Sequence, residues 1–178
     1  MESLAYSGWE SPVGLLTVAV SATGLAWLAF GREPPAKLAG QSIEWMESAS
    51  ATREIRKQLA EYFSGTRREF NLALDLRGTA FQKNCWEALL RIPYGETRSY
   101  AEVARAVGRP NAYRAVGQSN HHNPVAIIVP CHRVLASGKA LGGYGGGLST
   151  KAFLLRLEGA EFREDESVDQ PQEALKFK

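Results

Sequence analysis

Cysteine is scarce in this chain: there are two among 178 residues, Cys85 and Cys131, and no C-x-x-C pair. That excludes a disulfide scaffold, and a reducing compartment together with their different surroundings argues against joining the two. The three histidines, His121, His122 and His132, fall close together, so a four-ligand zinc site would have to draft carboxylates from elsewhere, and no metal is expected. No apolar run approaches the roughly 18 residues needed to span a bilayer. The opening MESLAYSGWESP carries two acids and lacks the basic segment and apolar stretch of a secretory leader, so no membrane association and a cytoplasmic location are expected. There is no G-K-[ST] phosphate loop and no dinucleotide fingerprint, and no cofactor is expected.

What is present is ordinary for a globular protein. Hydrophobic residues make up 44% and charged residues 22%, enough to bury a core and too few charges for overall disorder. The net charge of +2 is unevenly placed. Residues 81–160 hold ten Lys+Arg against four Asp+Glu, while residues 161–178 hold three against six. A basic middle block fits a polyanionic partner and fits a solvated face equally well.

The first 77 residues read as a scaffold domain. Leu15–Val20 and Leu25–Phe30 are apolar and β-compatible, and Ser21-Ala22-Thr23-Gly24 supplies the turn of a hairpin. After Pro34-Pro35, Thr52 is placed to cap a helix whose Ile55, Leu59, Tyr62 and Phe63 form one stripe, ending at Gly65. Phe70–Leu76 fits a returning strand.

Beyond Arg77-Gly78 the signals sharpen, and a second domain is expected over residues 78–160. Thr79 with Gln82 forms a capping box opening a helix on which Phe81, Cys85, Leu89 and Ile92 share a face, so Cys85 reads as a small core residue. Ser99 with Glu102 opens a second, short helix that Gly108 stops, and a third begins near Pro110-Asn111. That is a helix-turn-helix outline, which alone is weak evidence for DNA binding. On the third helix Ala112, Ala115, Val116 and Ser119 lie on the inner stripe, with Arg114, Gln118 and His121 opposite.

The chemistry concentrates after it. Asn123-Pro124 precedes Val125–Val129, apolar at every position and so read as a strand buried on both faces. Pro130 ends it, placing Cys131 and His132 where the chain turns and both can reach one pocket. A thiolate is the nucleophile, and His132 can accept the thiol proton directly or through a water. Glu158, in the last turn of a helix from Ser149, opposes the helix dipole; it is either an exposed, tolerated acid or the group that orients His132. Between them Gly142-Gly143-Tyr144-Gly145-Gly146-Gly147 is either a flexible connection or a loop whose amides approach a ligand.

Taken together, FQKNCWEALLRIPYGETRSYAEVA, the RAVG at 114–117, NPVAIIVPCHRV and GGYGGGLSTKAFLLRLEG closely resemble the O6-alkylguanine-DNA alkyltransferase family, also called methylated-DNA–protein-cysteine methyltransferase. The hairpin SPVGLLTVAVSATGLAWLAF resembles the family's amino domain. The resemblance implies an α+β chain: a ribonuclease-H-like N-terminal α/β domain with an antiparallel sheet, then a mostly helical, winged helix-turn-helix-like domain. It implies stoichiometric, single-turnover repair of O6-alkylguanine in double-stranded DNA, with O4-alkylthymine as a second substrate. Cys131 becomes the alkyl acceptor, His132 and Glu158 the relay, and Asn123 the brace of the turn; Tyr100 helps rotate the nucleotide and serves the departing guanine. Arg114 fills the gap in the base stack from the minor groove, with Tyr113, Ala115, Gln118 and Arg133 also at the DNA. Val134, Tyr144, Gly145 and Gly146 line the guanine pocket. At Gly145 some family members carry a serine. A monomer is expected, and the acidic segment 161–178 reads as a mobile tail.

Three other readings compete. A lesion-binding, non-repairing relative would lack the acceptor cysteine. A plain helix-turn-helix regulator leaves Pro-Cys-His-Arg without a purpose, and a thiol hydrolase demands turnover with water.

Overall fold

The structure, a computed structural model, describes residues 1–31 and 33–164, which fall into two compact units, one over Met1–Gly78 and one from Thr79 onward. The first contains β1 (Glu2–Ser11), β2 (Gly14–Val20), β3 (Leu25–Phe30), β4 (Lys37–Leu38), β5 (Gln41–Glu47) and α1 (Arg53–Phe63). The sheet runs β3-β2-β1-β5-β4. The expected hairpin is β2–β3, paired antiparallel with Leu16 opposite Phe30 and a register shift at Ala19/Val20. The sheet is not wholly antiparallel: β1 and β5 run parallel, Glu2 opposite Ile43.

The sequence does not advertise β1, although it lies in the middle of the sheet. Its buried positions include Ser7 and Ser11 beside Leu4, so the period-2 hydrophobic signal is faint; backbone ladders on both sides hold it instead. Ser7 also explains a second difference. Thr52 stands at the start of α1, but its hydroxyl makes no cap and lies 2.5 Å from the Ser7 hydroxyl, tying helix to sheet. Ile55, Leu59 and Tyr62 form the buried stripe of α1 as their spacing requires.

Phe70–Leu76 is not a strand. It contributes a single bridge, Leu25 to Leu74, with Leu25 N–H donating to the Ala73 carbonyl (2.9 Å) and Asp75 N–H to that of Leu25 (2.8 Å). Gly24 permits this approach, because a Cβ there would lie 2.5 Å from the Ala73 oxygen.

The second unit contains α2 (Ala80–Leu90), β6 (Arg98–Ser99), α3 (Tyr100–Ala106), α4 (Tyr113–His121), a 3-10 turn (Cys131–Arg133), β7 (Val134–Leu135), a second 3-10 turn (Ser137–Lys139) and α5 (Leu148–Leu157). Both capping boxes are formed: Thr79 with Gln82 opens α2, and Ser99 with Glu102 opens α3. Cys85 is fully buried, and both cysteines are free thiols. Helices α3 and α4 make the helix-turn-helix, with Gly108 at φ +75° in the connection. Val116 and Ser119 face inward, and the Ser119 carbonyl accepts from the Trp86 indole (2.9 Å). Ala115, expected on the inner stripe, is exposed.

Residues 161–164, expected to begin a mobile tail, are held: Phe162 packs against Leu135, Leu141, Ala152 and Leu155, and Arg163 N–H donates to the Lys139 carbonyl (2.8 Å). The rest of that segment lies outside the described residues.

The Gly24 contact yields a stability test. Gly24→Ala is expected to destabilise the N-terminal unit by about 1–3 kcal/mol, through strain at φ +153° and the clash with Ala73. Thermal unfolding checks it; an unchanged midpoint contradicts the account.

Candidate active site

The segment expected as a buried strand is a buried turn. Asn123 takes the bonds a ladder would have needed: its Oδ1 accepts from Val125 N–H (3.0 Å), and its Nδ2 donates to the Val129 carbonyl (2.8 Å) and towards Cys131 Sγ (3.3 Å). Ile127 adopts φ +71°, which for a β-branched residue is strained by about 1–3 kcal/mol. Pro130 sits at φ −84°, ψ 63°, an inverse γ-turn in which Cys131 N–H bonds to the Val129 carbonyl (2.8 Å). The chain therefore enters the 3-10 turn with Cys131 in the wall of a cavity and His132 and Arg133 turned inward.

Glu158 holds those two side chains. It caps the C-terminus of α5 and is buried; its Oε1 accepts from His132 Nε2 (2.8 Å), and the guanidinium of Arg133 forks onto both oxygens (2.9 Å each). A carboxylate can only accept, so Nε2 carries the imidazole proton and Nδ1 is the basic nitrogen. Nδ1 is buried and has no hydrogen-bond partner among the described residues. Three charge-assisted bonds explain an acid where the helix dipole disfavours one. Burial pushes the Glu158 carboxyl up, but the hydrogen bonds from His132 and Arg133 and the positive charge of Arg133 outweigh it and hold it well below the usual carboxylate range. Burial pulls His132 below its ordinary value, only partly offset by Glu158, so the ring rests neutral.

Arg133 is thereby removed from the DNA-contacting set. It is buried, its third contact goes to the Ile92 carbonyl (2.7 Å), and its guanidinium lies 5.8 Å from the Tyr94 ring centroid. The other four residues expected at DNA, Tyr113, Arg114, Ala115 and Gln118, are exposed on α4.

The Cys131 thiol also departs from expectation. Burial pushes Cys131 above its ordinary value, more than the Asn123 amide and the charge of Lys151 pull it down, so the resting group is a thiol and not a thiolate. Lys151 was not singled out from the sequence. It is fully buried and donates to the carbonyls of Val134 (2.7 Å), Leu141 and Gly143 (3.2 Å), clamping β7 to the start of the glycine-rich loop. Burial lowers its ammonium to about 8. The signal was available: Lys151 lies seven residues before Glu158, on the same apolar stripe of α5, where an unpartnered lysine is rare.

Cys131 opens onto a cavity of about 340 Å³ lined by Tyr100, Asn120, His121, Tyr144 and Gly145, together with Gly117 and Gly143. Of the expected pocket residues, Tyr144 and Gly145 are there; Gly146 is not among the lining residues, and Val134 lies behind, its carbonyl engaged by Lys151. Burial, then proximity to Cys131, raises the Tyr100 hydroxyl, keeping it a proton donor. A larger open groove of about 610 Å³ along α2 and α3 is lined by Arg91, Arg98 and Arg105 and contains no nucleophile.

The pH dependence of folding follows from the relay. Both groups titrate below their unfolded values of 6.5 for His132 and 4.5 for Glu158, so the unfolded chain binds protons first and acid destabilises. Stability is expected to be complete above about pH 7, to fall as pH drops below about 6.5, and to fall again below about 4.5. Glu158→Gln should cost about 3–5 kcal/mol at neutral pH by leaving Arg133 unpaired, and should flatten the lower limb. Denaturant titrations across pH check both statements; equal slopes below pH 4.5 in the two proteins contradict them.

Comparison with known proteins agrees with this architecture. Residues 4–76 match the ribonuclease-like domain, and residues 80–160 the DNA-binding domain, of 6-O-methylguanine DNA methyltransferase. The chain is 47% identical over 154 residues to the methylated-DNA–protein-cysteine methyltransferase of Methanosarcina barkeri, covering 86% of this chain and 96% of that protein. It is 42% identical over 168 residues to the constitutive enzyme of Bacillus subtilis, covering 89% and 98%. Among solved structures, Mycobacterium tuberculosis OGT in complex with DNA superposes with a TM-score of 0.79 at 45% identity, covering 88% of this chain and 92% of that one. With both halves matched in order and on the observed division of the fold, the chain belongs to the 6-O-methylguanine DNA methyltransferase family.

Proposed function

We propose that this protein repairs O6-alkylguanine in double-stranded DNA by moving the alkyl group onto Cys131. The observation that carries the reading is the buried Glu158–His132 pair one residue along the chain from a thiol that borders a cavity of about 340 Å³. Helix α4 meets the minor groove through Tyr113, Arg114, Ala115 and Gln118, and Arg114 occupies the place of the extruded nucleotide, offsetting part of the few kcal/mol that unstacking costs.

His132 Nδ1 takes the Cys131 proton, directly or through a water, and Glu158 stabilises the imidazolium that results. The sulfur attacks the alkyl carbon as the carbon–O6 bond breaks, and the electron pair passes to the guanine, which receives a proton from the Tyr100 hydroxyl. Donors aimed at the leaving group lower the barrier because guanine leaves poorly as an anion. The product is a thioether, whose sulfur water cannot displace at useful rates, so each protein acts once, as a monomer. O4-alkylthymine presents the same oxygen-bound carbon and is a second, slower substrate. Retention of Cys131 disfavours the lesion-binding, non-repairing alternative.

Intact-mass measurement after incubation with a duplex bearing one O6-methylguanine tests the proposal. One methyl adduct on Cys131 is expected, and none in Cys131→Ala. His132→Gln should slow transfer roughly 10²–10⁴-fold, the range for loss of a general base. Arg114→Ala should slow transfer from duplex roughly 10–100-fold while sparing the free O6-alkylated base, since it acts on extrusion alone. Methanol release with turnover, or tight binding without an adduct, overturns the reading.

A further inference from the structure

The open groove of about 610 Å³ along α2 and α3 has no part in the mechanism above. Its floor is apolar, built from Ala88, Ile92 and Val103, and its rim carries Arg91, Arg98 and Arg105. The one acid among the lining residues, Glu102, is already engaged, its carboxylate accepting from the Ser99 N–H at the start of α3 (2.6 Å). Arg98 has a carboxylate of its own, Glu96 (2.9 Å). Arg91 and Arg105 are exposed, and their guanidiniums make no ion pair or hydrogen bond among the described residues. Arg133 and Arg156, in the same unit, are both paired with glutamates.

The groove is turned away from α4. Tyr100 marks the side of α3 that faces α4, since a Cβ at Gly117 would lie 3.8 Å from its ring. At 100° per residue, Glu102, Arg105 and Ala106 project from the opposite side of that helix. Two unmatched guanidiniums above an apolar floor fit a phosphodiester strand, whose oxygens match the guanidinium fork and whose sugars can lie on the floor. DNA is the polyanion this unit meets, and its closely spaced charges supply what the surplus of ten basic over four acidic residues in 81–160 lacks. Once α4 has engaged one duplex, other segments of the same DNA are present at high local concentration.

Resting on the reading of the chain as a DNA repair protein, we propose that this groove is a second DNA site, which takes the phosphate backbone of another duplex segment through Arg91 and Arg105 while α4 holds the first. The protein then passes from segment to segment in search of a lesion without first dissociating into solution.

The test is a displacement experiment. Protein bound to a short, labelled, undamaged duplex is mixed with increasing amounts of the same duplex unlabelled, and the rate of release is followed. With two sites the challenger joins before the first duplex leaves, so the native release rate is expected to rise with challenger concentration. In Arg91→Gln/Arg105→Gln it should stay flat at the spontaneous rate, while single-turnover transfer to Cys131 from saturating O6-methylguanine duplex is unchanged. The slope of the native acceleration against salt should correspond to about two phosphate contacts, one for each arginine. Arg53→Gln/Lys57→Gln, which removes the same charge from the exposed face of α1, should keep the native acceleration. A flat native rate, a double variant that still accelerates, or an equal loss in the α1 variant overturns the proposal. Equal acceleration by polyglutamate assigns the groove to acidic protein segments and overturns it too. Failure of the native protein to methylate Cys131 from the same lesion would instead defeat the repair reading on which the proposal rests.

Discussion

A buried carboxylate is tolerable only when its charge is matched, and Glu158 is matched by two side chains that the chain delivers from one turn. The rest of the site depends on that match. It fixes the imidazole tautomer, so that the nitrogen facing away from the carboxylate is the basic one. It consumes the guanidinium of Arg133, which the family resemblance had placed at the DNA. And it anchors the C-terminus of α5, the helix whose Lys151 holds the other side of the cavity.

Cys131, the proposed nucleophile, is placed by a second constraint, that every buried backbone group must be paired. Between Asn123 and Val129 the partner is a side chain. Once the Asn123 amide has taken Val125 N–H and the Val129 carbonyl, the run cannot join a sheet, and Ile127 must adopt a left-handed conformation to close the loop. The same amide reaches Cys131 Sγ, so the residue that shapes the turn also stabilises negative charge on sulfur. Strain, nucleophile position and nucleophile activation thus meet in one asparagine.

Legibility from sequence followed the range of the interactions. Capping boxes at Thr79 and Ser99, the β2–β3 hairpin and the burial of Cys85 are local consequences of side-chain type and spacing, and they can be read directly. Cys131 and His132 stand out because proline, thiol and imidazole are adjacent. Val125–Val129 misleads because an apolar run satisfies a buried turn as well as a buried strand; only the bonding of Asn123, not its presence, decides. Strand β1 is hidden because its inner face includes serines. Lys151 was legible from its place on the apolar stripe of α5, although the three carbonyls that converge on it were not, and the unbonded amide of Asn120 is a fact that does not exist before the chain is folded.

That last contrast separates what can change from what cannot. Glu158, His132, Arg133 and Lys151 are bonded to one another or to the backbone, and removing one partner leaves another buried and unmatched, at about 3–5 kcal/mol for an ion pair against the 5–15 kcal/mol that stabilises a typical domain. Their chemistry cannot be tuned without endangering the fold. Asn120 carries no such debt. No described group bonds its amide, so replacing it by an apolar residue removes a desolvation penalty rather than a bond. A relay whose members cannot vary singly thus stands in the same unit as a side chain, Asn120, whose amide no described group bonds.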